Sequence, residues 1–382
     1  MGTRQVDQIT DSCRASLTGT SPTRRPHVIG RLGLVLAGVS ILLGAVAGCG
    51  GSSPAQQGAG ATSSEGGHPA APQSSAAPTW GAPTHLDYSQ GGFDPTSVSC
   101  PSASFCVAVL GSGYAVTYDG TTWSQPSGVS SSPSGLSSVS CPTASFCMAV
   151  DAGDSSTFMF NGSTWSSAPT IEDPVPNTDM GMASVSCPSP SFCAAIDNGS
   201  NAFTFNGTSW SPATTIDPGE ELSTVSCPSA SFCTAVDYGS NAVTFNGTSW
   251  SKPSAIDPGV YLLAVSCASV CFCVAVDHKG NAFTFNGSSW SAPASADPNG
   301  LSLGSGGAGA SVVSCPTSNF CAVVDGGGGN VATFDGSSWS APVNIDSEAS
   351  TSDSGPFLLS VSCPSAVFCV AGDSIGDAFV RS

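Results

Sequence analysis

The sequence predicts an all-β protein, a seven-bladed β-propeller built from four-stranded antiparallel blades. Three observations carry this prediction. The pattern Cys-x5-Cys occurs seven times, roughly 40 to 48 residues apart, and such a period with short alternating strands is typical of propeller blades. Each of the seven tryptophans belongs to one copy of the repeat. The last copy lacks its tryptophan element, and an unpaired element of this kind stands before the first copy.

The repeat is clearest between residues 222 and 262. Small or polar residues alternate there with apolar and β-branched ones, and Gly, Asn and Pro separate the runs, which predicts short strands joined by tight turns. We expect three strands over residues 223–227, 232–236 and 241–245. A fourth strand is expected to begin at Trp250. A single blade of this size is too small to bury a core, so the blades must pack against one another.

The two ends of the chain complement each other. After Asp373 the final copy stops at Ser382, where the other copies continue into a tryptophan strand. Trp80 and the residues up to Asp87 match that missing element, because they align with residues 209–217. We therefore expect the propeller to close with its two termini interlocked in one blade.

The paired cysteines predict one disulfide in every blade. Regularly spaced, even-numbered cysteines are typical of an oxidising compartment, and a two-stranded hairpin places the cysteines of a pair opposite one another. A metal site is the alternative, but the pairs have no neighbouring histidine and lack the spacing of a zinc site. We expect no metal and no cofactor. The predicted bonds are Cys100–Cys106, Cys141–Cys147, Cys187–Cys193, Cys227–Cys233, Cys267–Cys273, Cys315–Cys321 and Cys363–Cys369.

Three cysteines fall outside these pairs, namely Cys13, Cys49 and Cys271. Cys271 replaces a serine in the turn between Cys267 and Cys273. It is interpreted as a free thiol, as a rival partner for its neighbours, or as a link to another molecule. The substitution Cys271→Ser is expected to leave the fold intact.

An apolar run from Leu32 to Gly48 follows several arginines near the N-terminus. It is short for a membrane span and suits the core of a signal peptide. The run ends in Val46-Ala47-Gly48-Cys49, which resembles the signal of bacterial lipoproteins. The resemblance implies that Cys49 is acylated and becomes the first residue of the mature chain. A chance cysteine after an uncleaved helix is the alternative.

This interpretation divides the chain into three parts. Residues 1–48 form the lipoprotein signal peptide, residues 49–78 a flexible tether, and residues 79–382 the propeller. The tether is rich in Gly, Ser, Ala and Pro and spans on the order of 30 Å as a random coil. We therefore expect an extracytoplasmic protein that its lipid anchor holds at the cell membrane.

Charge excludes one class of partner. After removal of the signal peptide the chain has three basic side chains against 24 acidic ones, a net charge of −21. Nucleic acid is excluded, because phosphate contacts need clustered Lys and Arg. A basic protein and a cell-wall glycan are the candidate partners, and we expect a monomer.

Twelve aspartates recur at two positions of the repeat and predict an acidic face. One set ends the second strand and the other follows the tryptophan element, and in a four-stranded meander both positions lie on the same face. Each aspartate is interpreted as the cap of its own turn, while the summed field would attract cations or a basic partner. No calcium-loop pattern occurs. The first set is Asp151, Asp197, Asp237, Asp277, Asp325 and Asp373, and the second is Asp87, Asp173, Asp217, Asp257, Asp297 and Asp346.

Two other repeated elements are interpreted as structural. Asn-Gly pairs such as Asn246-Gly247 predict hairpin turns with positive φ, with glycosylation as the alternative. The phenylalanine before each second cysteine and the tryptophans are interpreted as inter-blade core, because a residue needed to build every blade must recur in every blade. Sugar stacking is the alternative. The Thr-x-Asn-Gly-x-x-Trp element resembles the Asp-box turn of sialidase-like propellers, in which it is structural.

Across residues 79–382 the chain resembles secreted or lipid-anchored propeller-repeat proteins of high-GC Gram-positive bacteria, a resemblance that implies no particular reaction. Enzymatic interpretations have little support. Sialidases clamp the substrate carboxylate with three arginines, and Arg381 alone remains here after removal of the signal peptide. No Ser/His/Asp or Cys/His constellation is distinguishable. His278, beside Lys279, is interpreted as solvated.

We therefore expect a non-catalytic binding scaffold that is not an enzyme. A lectin-like propeller that binds cell-wall glycan through aromatic and Asn or Asp side chains between blades is the second candidate. A glycan hydrolase or lyase with carboxylates at the mouth of the central channel is the third.

Overall fold

The computed structural model describes Cys13 and six stretches of the chain. The stretches are residues 77–86, 95–171, 181–296, 312–325, 328–347 and 357–382. Within them the strands form seven four-stranded antiparallel sheets, which we number as blades 1 to 7 in the order of their cysteine pairs. The predicted seven-bladed all-β fold is confirmed.

The strands of each blade follow one another from the innermost to the outermost. Blades 1 to 3 consist of Pro95–Ser102, Phe105–Leu110, Tyr114–Tyr118 and Ser127–Gly128, then Leu136–Thr143, Phe146–Asp151, Thr157–Phe160 and Trp165–Ser167, then Met182–Ser189, Phe192–Asp197, Asn201–Phe205 and Thr214–Thr215. Blades 4 to 6 consist of Leu222–Ser229, Phe232–Asp237, Asn241–Phe245 and Ser254–Ala255, then Leu262–Ser269, Phe272–Asp277, Asn281–Phe285 and Ala294–Ser295, then Val313–Thr317, Phe320–Val324, Asn330–Phe334 and Val343–Asn344. Blade 7 consists of Leu358–Ser365, Phe368–Asp373, Asp377–Arg381 and Thr84–His85.

The apolar core lies between neighbouring blades. The second strands carry small and β-branched residues such as Ala235 and Val236, which are completely buried. One cluster joins Phe232 and Val236 of blade 4 to Val265 and Ala275 of blade 5. Because each blade buries its apolar surface against the next one, no blade has a complete core of its own.

Aromatic rings also stack across the seams between blades. Phe232 of blade 4 stacks on Phe285 of blade 5 with the ring centroids 6.1 Å apart, and Phe192 of blade 3 stacks on Phe245 of blade 4 at 6.0 Å. Trp250 is half-buried, and its ring centroid lies 5.3 Å from that of Phe245 in the same blade. The interpretation of the repeated phenylalanines as inter-blade core is confirmed.

A closed ring of seven hydrogen bonds joins the innermost strands. In every seam the backbone N–H of a blade's first cysteine donates to the serine hydroxyl that precedes the first cysteine of the previous blade. Cys267 N donates to Ser226 Oγ at 2.9 Å, and Cys100 N donates to Ser362 Oγ at 3.0 Å across the seam between the last and first blades. The remaining bonds, each 2.9 Å long, join Cys141 to Ser99, Cys187 to Ser140, Cys227 to Ser186, Cys315 to Ser266 and Cys363 to Ser314.

The segment before blade 1 completes blade 7. Trp80 forms a β-bridge with Arg381, and Thr84 pairs with Ala378 in the outermost strand. The prediction that the termini interlock in one blade is confirmed. The ring is therefore closed by hydrogen bonds between the two ends of the propeller.

The fourth strand is shorter than predicted. In blade 4 Trp250 makes only an isolated bridge to the third strand, and the fourth strand is Ser254–Ala255. Ser251 interrupts the ladder, because its hydroxyl accepts a hydrogen bond from Thr244 N at 3.0 Å while its own N–H donates to Thr244 O at 2.7 Å. In blade 2 the strand does begin at the tryptophan, over Trp165–Ser167.

The seven predicted disulfides are all present, with paired Cα atoms 3.9 to 4.1 Å apart. An eighth bond was not predicted and joins Cys271 to Cys13. In the full chain Cys271 is therefore neither a free thiol nor a partner of Cys267 or Cys273. This pairing was not predictable from the sequence, because 258 residues separate the two cysteines and only one of them lies in a repeat.

The predicted signal peptide and tether lie almost entirely outside the described residues. Of residues 1–78, the structure describes only Cys13 and residues 77–78, so the predicted lipidation at Cys49 has no structural counterpart here. No helix in the described part of the chain has the length and apolar character needed to cross a membrane.

Candidate functional site

Two kinds of turn lie on opposite faces of the propeller. The cysteine face carries the hairpins between the paired cysteines together with the Asn-Gly turns. Each Asn-Gly turn contacts the cysteine hairpin of its own blade; in blade 4, for example, a Cβ atom on Gly247 would lie 3.2 Å from Ser231 Cα. The aspartate face carries the turns between the second and third strands and the links that enter the next blade.

The Asn-Gly turns of the cysteine face satisfy their own polar groups. Asn246 Oδ1 accepts hydrogen bonds from the N–H groups two and three residues further on, and Gly247 has a φ of +90°. In blade 1 an aspartate takes this place, and hydrogen bonds from Thr121 and Thr122 lower the pKa of Asp119 to about 2. The prediction of hairpin turns with positive φ is confirmed.

The aspartates that end the second strands are buried turn caps. Their exposed fraction is 4% or less. Asp237 accepts hydrogen bonds from Asn241 N at 2.6 Å and from Asn241 Nδ2 at 2.9 Å, and Asp277 makes the same two contacts with Asn281. The interpretation as turn caps holds for this set, which consists of Asp151, Asp197, Asp237, Asp277, Asp325 and Asp373.

The second set of aspartates is also withdrawn from solvent where the structure describes it. Asp217 and Asp346 are buried, and Asp257 is half-buried. Asp87, Asp173 and Asp297 lie outside the described residues. Burial and turn hydrogen bonds therefore remove almost all of the described carboxylates of the two sets from the surface, and the acidic face stays a prediction.

Asp217 and Asp237 form a carboxyl pair where blade 3 links to blade 4. Asn241 Nδ2 lies between them, 2.9 Å from Asp237 Oδ2 and 3.4 Å from Asp217 Oδ2. Burial, together with the hydrogen bond to Asp237 and its charge, raises the pKa of Asp217 to about 7. In blade 7 burial raises the pKa of Asp373 to about 6. Because both carboxyls are buried, they are not available to an external partner.

A backbone contact that recurs in five blades holds two residues next to each other on the aspartate face. The residue after the strand-two aspartate donates its N–H to the carbonyl of the residue that enters the blade's first strand. His278 N donates to Tyr261 O in blade 5, and Tyr238 N donates to Glu221 O in blade 4, both at 3.0 Å. The equivalent pairs in blades 2, 3 and 7 are Ala152 with Gly135, Asn198 with Gly181, and Ser374 with Phe357.

The aromatic patch, which we define as Tyr238, Tyr261 and His278, occupies these positions in blades 4 and 5. Tyr261 is 59% exposed. Its ring centroid lies 6.5 Å from that of Tyr238 in an edge-on arrangement and 5.0 Å from that of His278. The backbone frame recurs in other blades, whereas this cluster of three rings is found in blades 4 and 5 among the described residues.

Acidic side chains adjoin the aromatic patch. Glu220 and Glu221 are exposed in the link that enters blade 4. Tyr238 N donates a hydrogen bond to Glu221 O, and burial and the charge of Glu221 raise the pKa of Tyr238. The exposed side chain of Lys279 also adjoins the patch. Exposed acidic charge is therefore present on this face, on residues that the sequence did not single out.

His278 differs from its prediction as a solvated side chain. It is half-buried, and its Nδ1 accepts a hydrogen bond from Tyr261 N at 3.0 Å. The His278 side chain therefore holds the loop that enters blade 5. This bond and the backbone bond from His278 N fix the two rings relative to each other.

Two grooves open between the outer parts of neighbouring blades. The groove between blades 4 and 5 has a volume of about 440 Å³ and is lined by Trp290, Phe285 and the hydroxyls of Thr244 and Ser251. The groove between blades 6 and 7 has a volume of about 460 Å³ and includes Trp80. Both grooves combine an indole with small polar side chains.

Among the residues that the structure describes, no three His, Cys, Asp or Glu side chains are placed to hold a metal ion. The crowded aspartates face the amides of their own turns instead. Arrangements suited to binding a partner are the aromatic patch and the two grooves.

Comparison with solved structures identifies propellers of similar fold. The structure of YCF48 bound to D1 peptide matches with a TM-score of 0.57 and 16% identity, over 79% of this chain and 96% of that chain. The WD40 β-propeller domain of Doa1 matches with a TM-score of 0.57 and 11% identity, over 79% and 97%. The likeness is one of fold.

No protein-family model matches the sequence, and a comparison with curated proteins finds no match.

The sequence did not predict the aromatic patch. Tyr238 and Tyr261 lie 23 positions apart and belong to different blades, so only the packing of neighbouring blades brings them together. One signal was available: most other copies carry small or polar residues at these positions, and the exceptions are His278 in blade 5 and Phe357 in blade 7. The sequence also contained a signal for the hydrogen bonds between blades, since the serine before each first cysteine recurs in all seven copies.

Proposed function

We propose that this protein is a non-catalytic, lipid-anchored extracytoplasmic scaffold that binds a partner through the aspartate face of blades 4 and 5. One observation carries the proposal. A backbone frame that recurs in five blades displays a cluster of aromatic and acidic side chains in these two neighbouring blades. Exposed aromatic residues on a rigid frame are typical of binding surfaces.

Position-specific cross-linking in cells tests the binding surface. Tyr261 is replaced by the photoreactive residue p-benzoylphenylalanine, and illumination is expected to trap one dominant protein partner. The matched control carries the same residue at Val367, which is 61% exposed on the cysteine face. Equal cross-linking at both positions, or none at Tyr261, contradicts the proposed surface.

Anchoring at Cys49 is supported by the resemblance of residues 46–49 to a lipoprotein signal and by a disulfide in every blade, which suits an oxidising compartment. In a bacterial host that processes lipoproteins, a fatty-acid probe is expected to label the protein and the protein to sediment with membranes. The variant Cys49→Ser is expected to lose both properties. Labelling that survives this change contradicts anchoring at Cys49.

Cell-wall glycan binding is the second candidate function, and the grooves between blades favour it. Trp290 lines the groove with its indole, and Thr244 and Ser288 line it with small polar side chains, which is the combination that sugars use for stacking and hydrogen bonding. Binding on a glycan array that Trp290→Ala abolishes would support this function. Tyr261→Ala is the control, because it lies on the aspartate face and leaves the groove intact.

A further inference from the structure

We propose that the aromatic patch, with Glu220 and Glu221 beside it, binds the cationic side chain of an arginine or lysine in a basic polypeptide. The inference rests on the proposed function and names the chemistry of the partner. A cation over a tyrosine face is attracted by the ring quadrupole, and nearby carboxylates add a charge-assisted hydrogen bond.

The geometry of the patch provides the aromatic walls. Tyr261 presents an exposed ring, and Tyr238 meets it edge-on at a centroid distance of 6.5 Å. His278 supports the other side at 5.0 Å, and its Nδ1 holds the Tyr261 backbone. Because these contacts exist before any partner arrives, little ordering of the patch is needed on binding.

The charge beside the patch favours a cation. Glu220 lies over the turn of blade 4, since its Oε2 is 2.6 Å from the place where a Cβ atom on Gly239 would stand. Glycine at this position therefore leaves room for the carboxylate next to Tyr238. Glu221 lies in the same link. Lys279 opposes them with a single positive charge, so acidic groups outnumber basic ones at the patch.

A protein of this composition attracts basic partners over a longer range as well. The net charge of the chain is −18, and long-range attraction of this kind accelerates association without setting specificity. Specificity then comes from the short-range contacts at the patch. An apolar partner or a lipid headgroup would contact the ring of Tyr261 but not the carboxylates of Glu220 and Glu221. The experiment below distinguishes these partners from a cationic side chain.

The test uses ¹⁹F NMR of the protein labelled with 3-fluorotyrosine, since the sequence contains five tyrosines. The probe is a blocked pentapeptide with one central arginine between glycines. The control peptide carries citrulline, which has the shape of arginine without its charge. We expect saturable shifts of the Tyr238 and Tyr261 signals, which Tyr→Phe variants assign, while Tyr114 stays unchanged and citrulline shifts the signals at least about fivefold less.

Carboxylate variants complete the test. Glu220→Gln combined with Glu221→Gln is expected to weaken arginine binding by about fivefold or more, and Lys279→Gln to strengthen it by about twofold. The control is Asp154→Asn, which removes an exposed acidic side chain from blade 2 and is expected to change nothing.

Three results would overturn the inference: no saturable shift, equal shifts with citrulline, or equal weakening by Asp154→Asn. Failure of this inference is distinguishable from failure of the proposed function. If cross-linking at Tyr261 traps a partner while the arginine peptide does not bind, only the chemistry assigned to the partner is wrong. Vesicles of anionic and zwitterionic lipid, used as additional probes, are expected to leave the tyrosine signals unchanged, and a shift with either would assign the patch to a membrane surface.

Discussion

The serine that precedes each first cysteine is the residue that joins one blade to the next. Its hydroxyl accepts a hydrogen bond from a backbone N–H of the following blade in all seven seams. Only 9% of the residues are charged, so few ion pairs can form between blades. Neutral serine hydroxyls form these polar contacts instead.

Ser226→Ala is therefore expected to destabilise the propeller by about 1 kcal/mol, because it leaves the buried N–H of Cys267 without its partner. Chemical denaturation followed by tryptophan fluorescence measures the change. Ser289→Ala is the control, since that hydroxyl is exposed, and its effect is expected to stay within about 0.5 kcal/mol. Equal effects of the two substitutions would show that the seam bond contributes nothing to stability.

The proposed cleavage of the signal peptide would change the state of Cys271. In the full chain it is bonded to Cys13, whereas cleavage before Cys49, as proposed for a lipoprotein, removes Cys13. The mature, membrane-bound protein is therefore expected to have one thiol that iodoacetamide labels, and Cys271→Ser to abolish the labelling without unfolding the protein. Non-reducing peptide mapping provides the second measurement. A Cys13–Cys271 peptide recovered from membranes would show that residues 1–48 are retained.

At the scale of the element, the turn between the second and third strands depends on an aspartate that the blade buries. In blade 4 this turn also meets the link from blade 3, where the Asp217 carboxyl approaches Asp237. Two buried carboxyls that approach each other in this way repel when both are ionised, and the repulsion is absent when one of them keeps its proton. The link between these blades is therefore sensitive to pH.

The sign of this sensitivity follows from the raised pKa of Asp217, about 7 against an ordinary value of 3.8. The folded protein keeps a proton that the unfolded chain releases, so the stabilisation is complete below about pH 4 and is lost as pH rises through about 7. The Tm is expected to fall between pH 5 and pH 8. Asp217→Asn is expected to raise the Tm at pH 8 by about 3 °C or more.

Differential scanning calorimetry across this pH range measures the effect. Asp257→Asn is the control, because it changes the equivalent position in the next link, where the carboxyl is half-buried. The explanation fails if Asp217→Asn leaves the slope of Tm against pH unchanged, or if the control flattens it to the same extent.

Some strands of a blade can be predicted from the local sequence and others cannot. The first three strands follow alternation and β-branched residues, and the structure places the third strand of blade 4 at Asn241–Phe245 as predicted. The fourth strand of blade 4 was predicted to begin too early, because the Ser251 hydroxyl accepts the hydrogen bond of Thr244 N. The alternation of polar and apolar residues does not reveal this contact. Likewise, periodicity located the aspartates, but their burial depends on how the link folds over the turn.

At the scale of the whole molecule, the count of repeats was sufficient to predict the ring. Seven copies and one divided blade leave no other place for Trp80 than beside Arg381, where the structure has it. The aromatic patch was not predictable in this way, because it depends on the contact between two blades and on residues that break the repeat. Regular positions therefore predict the fold, whereas the proposed binding surface depends on irregular ones.

Closure makes the stability of every blade depend on the segment before blade 1. That segment contributes the outermost strand of blade 7 and a completely buried Leu86, together with the half-buried Trp80. Deletion of residues 77–86 is expected to remove about 3 to 4 kcal/mol of apolar burial, which corresponds to a fall in Tm of roughly 10 °C. Deletion of ten residues from the proposed tether, 55–64, is the matched control and is expected to leave the Tm unchanged.

A circular permutant separates the loss of the strand from the position of the termini. Residue 382 is joined to residue 79 by a short Gly/Ser linker, and new termini are placed between Pro258 and Gly259, which are exposed and where a Cβ on Gly259 would meet nothing within 4 Å. Since exposed loops tolerate new termini and the closing strand is retained, the permutant is expected to keep a Tm within about 5 °C of the original protein. Thermal unfolding followed by circular dichroism measures both variants. If the deletion of residues 77–86 leaves the Tm unchanged, the interlocked blade does not hold the ring closed; if the permutant alone unfolds, the order of the blades along the chain matters more than their contacts in the ring.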